Sequence, residues 1–281
     1  MKRVLSALSV SILSMVLLVA CSETAEPVNE SESKQTNKNG SNESELTIKE
    51  VYDKMMEASE DINSFVMDME MEQEIIEGDN EPVPTHSTIH SKVVQKPIGL
   101  EQKIEMTIDG ESISTEQYIT EEGFYMYDPA QKVWMKYSEG HEQLMAQMEA
   151  QSGLDQTQTL SELQSYINDF NFKQNDKEFI LTLDADDEKF NSLVQKELSS
   201  GAVEMPDVQD LEINGIEYEI FVDKETYLPS QMNIVMNINM KAEGQKVTLK
   251  QAIDTTYSDY NTIDSITVPK EALEQAVELE M

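Results

Sequence analysis

The stretch Phe65-Val66-Met67-Asp68-Met69-Glu70-Met71-Glu72 alternates methionine with an acidic residue from its third position onward. Successive side chains of a β-strand point to opposite faces, so the methionines share one face and the acids the other. Residues 232–240 repeat the pattern, with Met and Ile alternating mostly with Asn. Each stretch therefore predicts a half-buried antiparallel strand with one apolar face.

Shorter alternating runs on both sides of these stretches predict further strands. Asp109-Gly110 is a strong hairpin signal between two of them, and Asn214-Gly215 is interpreted as another tight turn. Strands are expected near residues 85–95, 100–108, 112–120, 123–127, 132–137, 179–183, 217–222 and 247–257.

Helical spacing occurs before the first strand and again in the middle of the chain. Thr47 and Glu50 form a capping box at the start of the first helix, and residues 142–151, 159–170 and 187–199 are predicted as further helices. This order of elements is typical of an α+β fold. Because sheet twist accumulates and open edges invite aggregation, we expect a strongly curled antiparallel sheet, an incomplete β-barrel, with helices covering its concave face.

The N-terminus carries a candidate membrane anchor. Lys2 and Arg3 precede an apolar run over residues 4–19, which is shorter than the roughly 20 residues of a spanning helix and typical of a signal peptide. The run ends in Leu18-Val19-Ala20-Cys21, which resembles the lipobox of bacterial lipoproteins and contains the only cysteine. That resemblance implies cleavage before Cys21 and acylation of its thiol. An ordinary secretory signal is the alternative.

These features predict three regions. Residues 1–20 form a lipoprotein signal peptide, and residues 21–45 form the lipidated cysteine followed by a disordered acidic tether, since that segment has too little apolar surface to fold. Residues 46–281 form a single domain. The predicted location is the extracytoplasmic face of the cell membrane, where acylated Cys21 holds the protein.

The charge balance excludes several classes of partner. The chain has a formal net charge of −35, so it offers little with which to neutralise phosphates, and nucleic-acid binding is excluded. A basic patch for anionic lipid headgroups is excluded for the same reason. With Cys21 acylated, neither disulfides nor thiolate chemistry is available.

Two short motifs near the C-terminus resemble a known superfamily. They are Asp223, Thr226 and Pro229, spaced as D-x-x-T-x-x-P, and Ile266-Thr267-Val268-Pro269. With the lipobox and the curled-sheet plan, they make residues 47–275 similar to the lipoprotein-carrier superfamily, and most similar to uncharacterised Gram-positive lipoproteins. That superfamily includes the carrier and acceptor of outer-membrane lipoproteins and the lipid-binding lipoproteins of mycobacteria. The resemblance implies an unclosed barrel that holds acyl chains under a helical lid.

The apolar positions of the predicted strands are the best candidates for a ligand groove. Methionine is unbranched and polarisable, so it suits a surface that accepts apolar ligands of variable shape. The other interpretation is an ordinary core packed under helices. The candidate groove residues are Met67, Met69, Met71, Ile104, Met106, Met126, Trp134, Met232, Ile234, Met236 and Ile238.

Other candidate sites have simpler explanations. His86 and His90 are four residues apart in a predicted strand, about 13 Å along the chain, and are interpreted as an exposed pair and not as metal ligands. The acidic residues 184–188 lack the glycine and glutamate of a calcium loop and suit a helix start. No enzyme motif is present, so we predict a non-enzymatic protein without cofactor or metal.

Together these observations predict a membrane-anchored extracytoplasmic lipoprotein that binds a lipid or other amphiphile in the groove of its sheet. Helices between residues 140 and 200 would form a lid. The alternative is an interaction or scaffold lipoprotein whose sheet is filled by its own side chains and which docks an envelope protein or a cell-wall component.

Overall fold

The structure is a computed structural model that describes residues 24–27, 44–78, 80–108, 110–137, 160–161, 163–184, 209–242 and 245–279. Its helices are α1 (Ile48–Glu60), a 3-10 helix (Gln164–Asp169) and α2 (Lys270–Gln275). Its strands are β1 (Glu26–Pro27), β2 (Ser64–Glu77), β3 (Val83–Gln95), β4 (Ile98–Ile108), β5 (Glu111–Thr120), β6 (Gly123–Asp128), β7 (Val133–Tyr137), β8 (Asn171–Gln174), β9 (Glu178–Asp184), β10 (Gln209–Asp223), β11 (Pro229–Ala242), β12 (Gln245–Ser258) and β13 (Val277–Leu279).

All the strands belong to one sheet. Their order is β1-β8-β9-β10-β11-β12-β2-β3-β4-β5-β6-β7-β13, and every pair of neighbours is antiparallel except the parallel pairs at the two edges. The sheet is curled and is not closed, which confirms the predicted curled antiparallel sheet. The predicted helices 142–151 and 187–199 lie outside the described residues, so a helical cover over the concave face stays a prediction.

The register gives the sheet two faces of opposite character. Met69 lies opposite Thr255 on one side and Ile89 on the other, whereas the adjacent Glu70 lies opposite Asp254 and Thr88. Paired residues of an antiparallel ladder share a face. We call the face that bears Met67, Met69 and Met71 the apolar face, and the one that bears Asp68, Glu70 and Glu72 the charged face.

Helix α1 packs into a core on the apolar face. Its capping box is complete, with the Glu50 backbone N–H donating to Thr47 Oγ1 at 3.3 Å and the Thr47 backbone N–H donating to Glu50 Oε2 at 2.8 Å. The buried Tyr52 hydroxyl donates to the Leu160 carbonyl and so links α1 to the segment before the 3-10 helix. The buried side chains of this core include Val51, Met55, Leu163, Leu181, Ile220, Ile238 and Met240.

A separate core lies on the charged face near the β7 edge of the sheet. The Ile266-Thr267-Val268-Pro269 motif supplies its buried Val268, and α2 supplies Ala272. Ile266 packs over Gly99, where a Cβ would approach the Ile266 side chain to 3.0 Å. The Ile-x-Val-Pro motif therefore covers this end of the sheet.

The Asp-x-x-Thr-x-x-Pro motif is a hydrogen-bonded turn between β10 and β11. Asp223 Oδ1 accepts from the backbone N–H groups of Glu225 and Thr226 at 3.0 and 2.8 Å, and from Thr226 Oγ1 at 2.9 Å. Tyr227 follows with a φ of 59°, and its N–H donates to the Asp223 carbonyl. The motif is structural because its polar groups are used within the turn.

Replacing Asp223 by Ala should lower the free energy of unfolding by about 1–3 kcal/mol, because the turn loses three hydrogen bonds to a carboxylate. Urea denaturation measures the loss. Asp223→Asn is the matched control, since its amide oxygen still accepts the same bonds and should preserve more of the stability. Equal losses in the two variants would contradict this assignment.

Two local predictions need correction. Asn214-Gly215 is not a tight turn: β10 runs through it, with a register shift between Ile213 and Gly215 against β11. The described part of the predicted helix 159–170 is helical at Leu160, Ser161 and Leu163, and then tightens into the 3-10 helix. None of the helices among the described residues is both long and apolar enough to cross a membrane.

Candidate functional site

The apolar face extends across six neighbouring strands, from β11 to β5. Residues directly opposite one another in the ladders form lateral rows over this face. One row consists of Met232, Thr255, Met69, Ile89, Ile104 and Thr115. The next consists of Ile234, Ile253, Met71, Ser87, Met106 and Ile113.

Burial in the first row falls from β11 to β5, whereas Ser87 in the middle of the second row is 1% exposed. Met232 is 6% exposed and belongs to the core under α1, whereas Met69, Met71 and Met106 are half-buried. At one end of β3 to β5 the face is accessible, with Val83 at 44%, Ile108 at 38% and Ile113 at 55% exposure. The part of the apolar face on β2 to β6 is therefore the candidate site.

The candidate site is bordered by a second cluster of buried residues at one end of the same strands. Phe65, Val93, Leu100 and Ile119 form a row across β2 to β5 and pack with Ile62. The opposite end of β3 to β5 carries the exposed Val83, Ile108 and Ile113. The face is thus filled at one end and open at the other.

The register places all but one of the predicted groove residues on the apolar face. Those beside α1, Met232 and Ile238, are buried in the core and not in an open groove. Those that share the face are Met67, Met69, Met71, Ile104, Met106, Met126, Met232, Ile234, Met236 and Ile238.

Trp134 is the exception, and its placement in the groove is wrong. It lies opposite Tyr127, while its neighbour Met135 lies opposite Met126 on the apolar face. Since a shift of one residue reverses the face of a strand, Trp134 points to the charged face and Met135 takes its place. There Trp134 is buried with Tyr118, Tyr125, Val268 and Ala272.

Polar side chains also lie on the apolar face, and sequence analysis missed them. Gln102 Nε2 donates to Ser91 Oγ at 3.0 Å, and Gln117 Nε2 donates to Gln102 Oε1. Ser87 is 1% exposed, and its Oγ has no hydrogen-bond partner in the described structure. The available signal was Ser87 and Ser91 themselves, which interrupt the apolar positions of β3 at spacing two from Ile89.

Charge on the apolar face is confined to strand ends. In strands β2 to β7, β11 and β12, no lysine, arginine or histidine of the described residues occupies a position on this face. The ionisable acids there are Glu77, Glu111 and Asp128, each at the first or last position of its strand. The middle of the site is thus uncharged.

On the charged face, His86 and His90 of β3 each contact a carboxylate of β2. His90 Nδ1 lies 2.6 Å from Asp68 Oδ1, and His86 Nδ1 lies 2.9 Å from Glu72 Oε1. The predicted exposed histidine pair is thus two separate histidine–carboxylate contacts. Glu70, Glu72 and His86 bring possible ligand atoms within 4.8 Å of one another; the two glutamates are exposed and His86 is half-buried.

A shallow depression of about 400 Å³ lies around His90, with Asp68, Glu70, Lys103 and Glu105 in its lining. Most of the lining belongs to the charged face, although Met69 and Ile89 also contribute to it, so the depression is not the predicted groove.

Comparison with known proteins gives a family for this chain. The model of a family of unknown function, DUF6612, matches residues 47–277. The chain belongs to the DUF6612 family. The match includes both methionine-rich strands and both C-terminal motifs, and it begins after Cys21 and the predicted tether.

Two solved structures are similar to this DUF6612 protein at low identity. A LolA superfamily protein from Nitrosomonas europaea is 10% identical, with a TM-score of 0.24, and the alignment covers 79% of this chain and 96% of that one. A β-barrel-like protein of a domain of unknown function, DUF1849, from Brucella abortus is 7% identical, with a TM-score of 0.21 and coverage of 70% and 98%. Scores this low assign neither fold nor ligand to this chain, so the lipoprotein-carrier resemblance stays a prediction. No curated protein matches it.

Buried phenols of this DUF6612 protein should make its stability sensitive to alkali. Burial raises the pKa of Tyr257, on the apolar face, to about 12, and burial with the nearby Glu101 and Glu116 raises the pKa of Tyr118 to about 12. The folded chain holds these protons more tightly than the unfolded chain, whose phenols titrate near about pH 10. The free energy of unfolding should therefore fall as pH rises from about 10 to about 12.

Urea denaturation across that pH range, followed with tyrosinate absorbance, measures this effect. The control is Tyr257→Phe, which removes one titrating phenol and should flatten the fall. A free energy of unfolding that stays constant over this pH range would contradict the predicted sensitivity to alkali.

Proposed function

We propose that this protein binds a lipid or another hydrophobic or amphiphilic ligand against the apolar face of β2 to β6. The observation that carries the proposal is the continuity of this face from a closed core under α1 to the exposed Ile113. A surface of this kind leaves apolar area in contact with water, which a ligand would remove.

The side chains of the site suit an acyl chain. Met67, Met69, Met71 and Met106 are half-buried, and unbranched thioethers adjust their rotamers to ligands of different shape. Burial of apolar surface contributes about 25 cal/mol per Å² removed from water, so each methylene of a ligand contributes about 0.8 kcal/mol. Binding would be reversible and driven by this burial.

The proposal includes the membrane anchor. A lipobox cysteine carrying two acyl chains gives stable anchoring, whereas one chain binds a membrane only marginally. Cys21 lies outside the described residues, so the anchor is supported by the sequence alone. It would keep the domain at the extracytoplasmic membrane surface, where amphiphiles are available.

Replacing Cys21 by Ser should abolish incorporation of a labelled fatty acid, because serine has no thiol to acylate. The matched control is Ser22→Ala, which should remain membrane-bound and labelled. Labelling of the Cys21→Ser chain would contradict acylation at this residue.

A second function is favoured by the core under α1. The part of the apolar face on β9 to β12 is already filled by the chain's own side chains. If residues outside the described ranges filled the rest as well, the protein would be a scaffold that docks an envelope protein or wall component through its acidic surface.

Displacement of a fluorescent fatty-acyl probe from the purified Cys21→Ser chain separates the two functions. Saturable binding, together with lipid found by native mass spectrometry in protein from its own host, would support the ligand-binding function. Absence of both would exclude it and leave the scaffold function.

A further inference from the structure

We infer that the ligand is an uncharged amphiphile whose ester, amide or hydroxyl group is hydrogen-bonded by Ser87, Ser91, Gln102 and Gln117, the polar set of the apolar face. This inference rests on the proposed ligand-binding function and specifies the chemistry of the ligand. A carboxylate or phosphate headgroup would be rejected from the same site.

The first observation is the unpartnered hydroxyl of Ser87. Its row places it between Met71 on β2 and Met106 on β4, and it is 1% exposed. An unpaired buried hydroxyl costs about 1–3 kcal/mol, and folded proteins leave few such groups unsatisfied. A ligand oxygen on this face would supply the missing hydrogen bond.

The second observation is the neutral chain of hydrogen bonds two rows away. Gln117 donates to Gln102, which donates to the fully buried Ser91. Each amide has two donor hydrogens and a carbonyl oxygen, so this chain retains capacity both to donate and to accept. Groups of this kind recognise esters, amides and hydroxyls, which offer the complementary neutral atoms.

Geometry places an apolar row between the two parts of the polar set. Met69, Ile89 and Ile104 lie opposite one another across β2, β3 and β4. Ser87 and Ser91 are the residues two before and two after Ile89 on the same face of β3, about 7 Å away on each side. A ligand whose polar end lies over Ile89 would therefore have a serine on each side of it, in the two neighbouring rows.

The third observation is the absence of positive charge. Along β2 to β7, β11 and β12, no described position on the apolar face holds a cationic side chain, and its acids lie at strand ends. A carboxylate buried there would lose its hydration without gaining a counter-charge, and the chain's net charge of −35 would repel it. Neutral oxygen atoms carry a much smaller desolvation cost.

The test compares two probes of equal chain length on the purified Cys21→Ser chain: a monoacylglycerol and the corresponding free fatty acid, ionised at mildly alkaline pH. The monoacylglycerol and the fatty acid each compete against the same fluorescent acyl probe, at concentrations below their own critical micelle concentrations. We expect the affinity for the monoacylglycerol to be at least about tenfold higher than that for the fatty acid.

Variants connect the preference to the polar set. Ser87→Ala and Gln102→Leu should each narrow the ratio of the two affinities, and Gln102→Lys should reverse it by giving the fatty acid a counter-charge. Thr88→Ala, the next residue on the charged face, is the matched control and should leave the ratio unchanged.

The outcomes distinguish this inference from the function beneath it. If neither probe binds, the proposed ligand-binding function fails. If both probes bind equally to the Cys21→Ser chain, ligand binding stands and the neutral-ligand inference is overturned. This comparison needs no further substitution, so it holds even if one of the variants does not fold. A preference for the monoacylglycerol that every variant retains would show that the polar set is not its cause.

Discussion

Replacing Met106 by Asp should weaken binding of a fatty-acyl probe by at least about tenfold. Met106 is half-buried near the middle of the candidate site, opposite Ser87 on β3 and Ile113 on β5. A ligand that covers this position would bury the new carboxylate, which has no cationic partner on the face. The same displacement assay on the Cys21→Ser chain measures the change, since a factor of ten corresponds to about 1.4 kcal/mol.

The neighbouring residue provides the matched control. Thr107 follows Met106 on β4 but points to the charged face, where its Oγ1 lies 2.8 Å from Ser112 Oγ. Thr107→Asp adds the same charge to the same strand without entering the site, so probe affinity should stay within about twofold of the parent. If the two variants bind the probe equally well, and both remain folded by thermal denaturation, the apolar face is not the binding surface.

The two-faced sheet could be predicted because strand periodicity is local. Met67, Met69 and Met71 alternate with acids, and this pattern alone separates the faces. The hairpin was predictable from Asp109-Gly110 for the same reason, and the flanking residues Ile108 and Glu111 lie opposite each other in β4 and β5. The pairing of β12 with β2, whose partners lie between 170 (Glu77 and Val247) and 192 (Val66 and Ser258) residues apart, joins the two blocks of strands and has no comparable local signal.

The errors arise where tertiary contacts decide the outcome. Trp134 belongs to an apolar strand in which either face could be the buried one, and the closing segment at Val268 and Ala272 determines which. Asn214-Gly215 has the composition of a turn, but pairing with β11 carries β10 through it, as Ile213 lies opposite Ile238 and Gly215 opposite Asn237. Propensity gives way to pairing in such places.

The polar set was missed for a related reason. Ser87, Ser91, Gln102 and Gln117 are distributed over three strands, and their alignment depends on register and not on spacing within one strand. The motifs near the C-terminus were found in the sequence, but in the structure they form a turn and cover an end of the sheet. The candidate site thus depends on ladder register, which no single motif encodes.

Replacing Met55 by Ala should lower the free energy of unfolding by about 2–5 kcal/mol. Met55 is fully buried on α1, in the core that fills the β9 to β12 part of the apolar face. Truncation removes apolar contacts and leaves a cavity between the helix and the sheet. Urea denaturation measures the loss, with the exposed Glu57→Ala on the same helix as a control for helix propensity.

Comparison with Met106→Ala, measured without ligand, tests whether the apolar face has a filled part and an open part. Met106 is half-buried, so Met106→Ala should lower the free energy of unfolding by much less than Met55→Ala does. The part of the Met106 side chain that is already in water contributes nothing to this loss. Bound ligand should enlarge the cost at Met106 and leave that at Met55 nearly unchanged, because only the former is in the site. Equal costs at the two positions in the absence of ligand would mean that the whole face is core. The scaffold function would then replace the ligand-binding one.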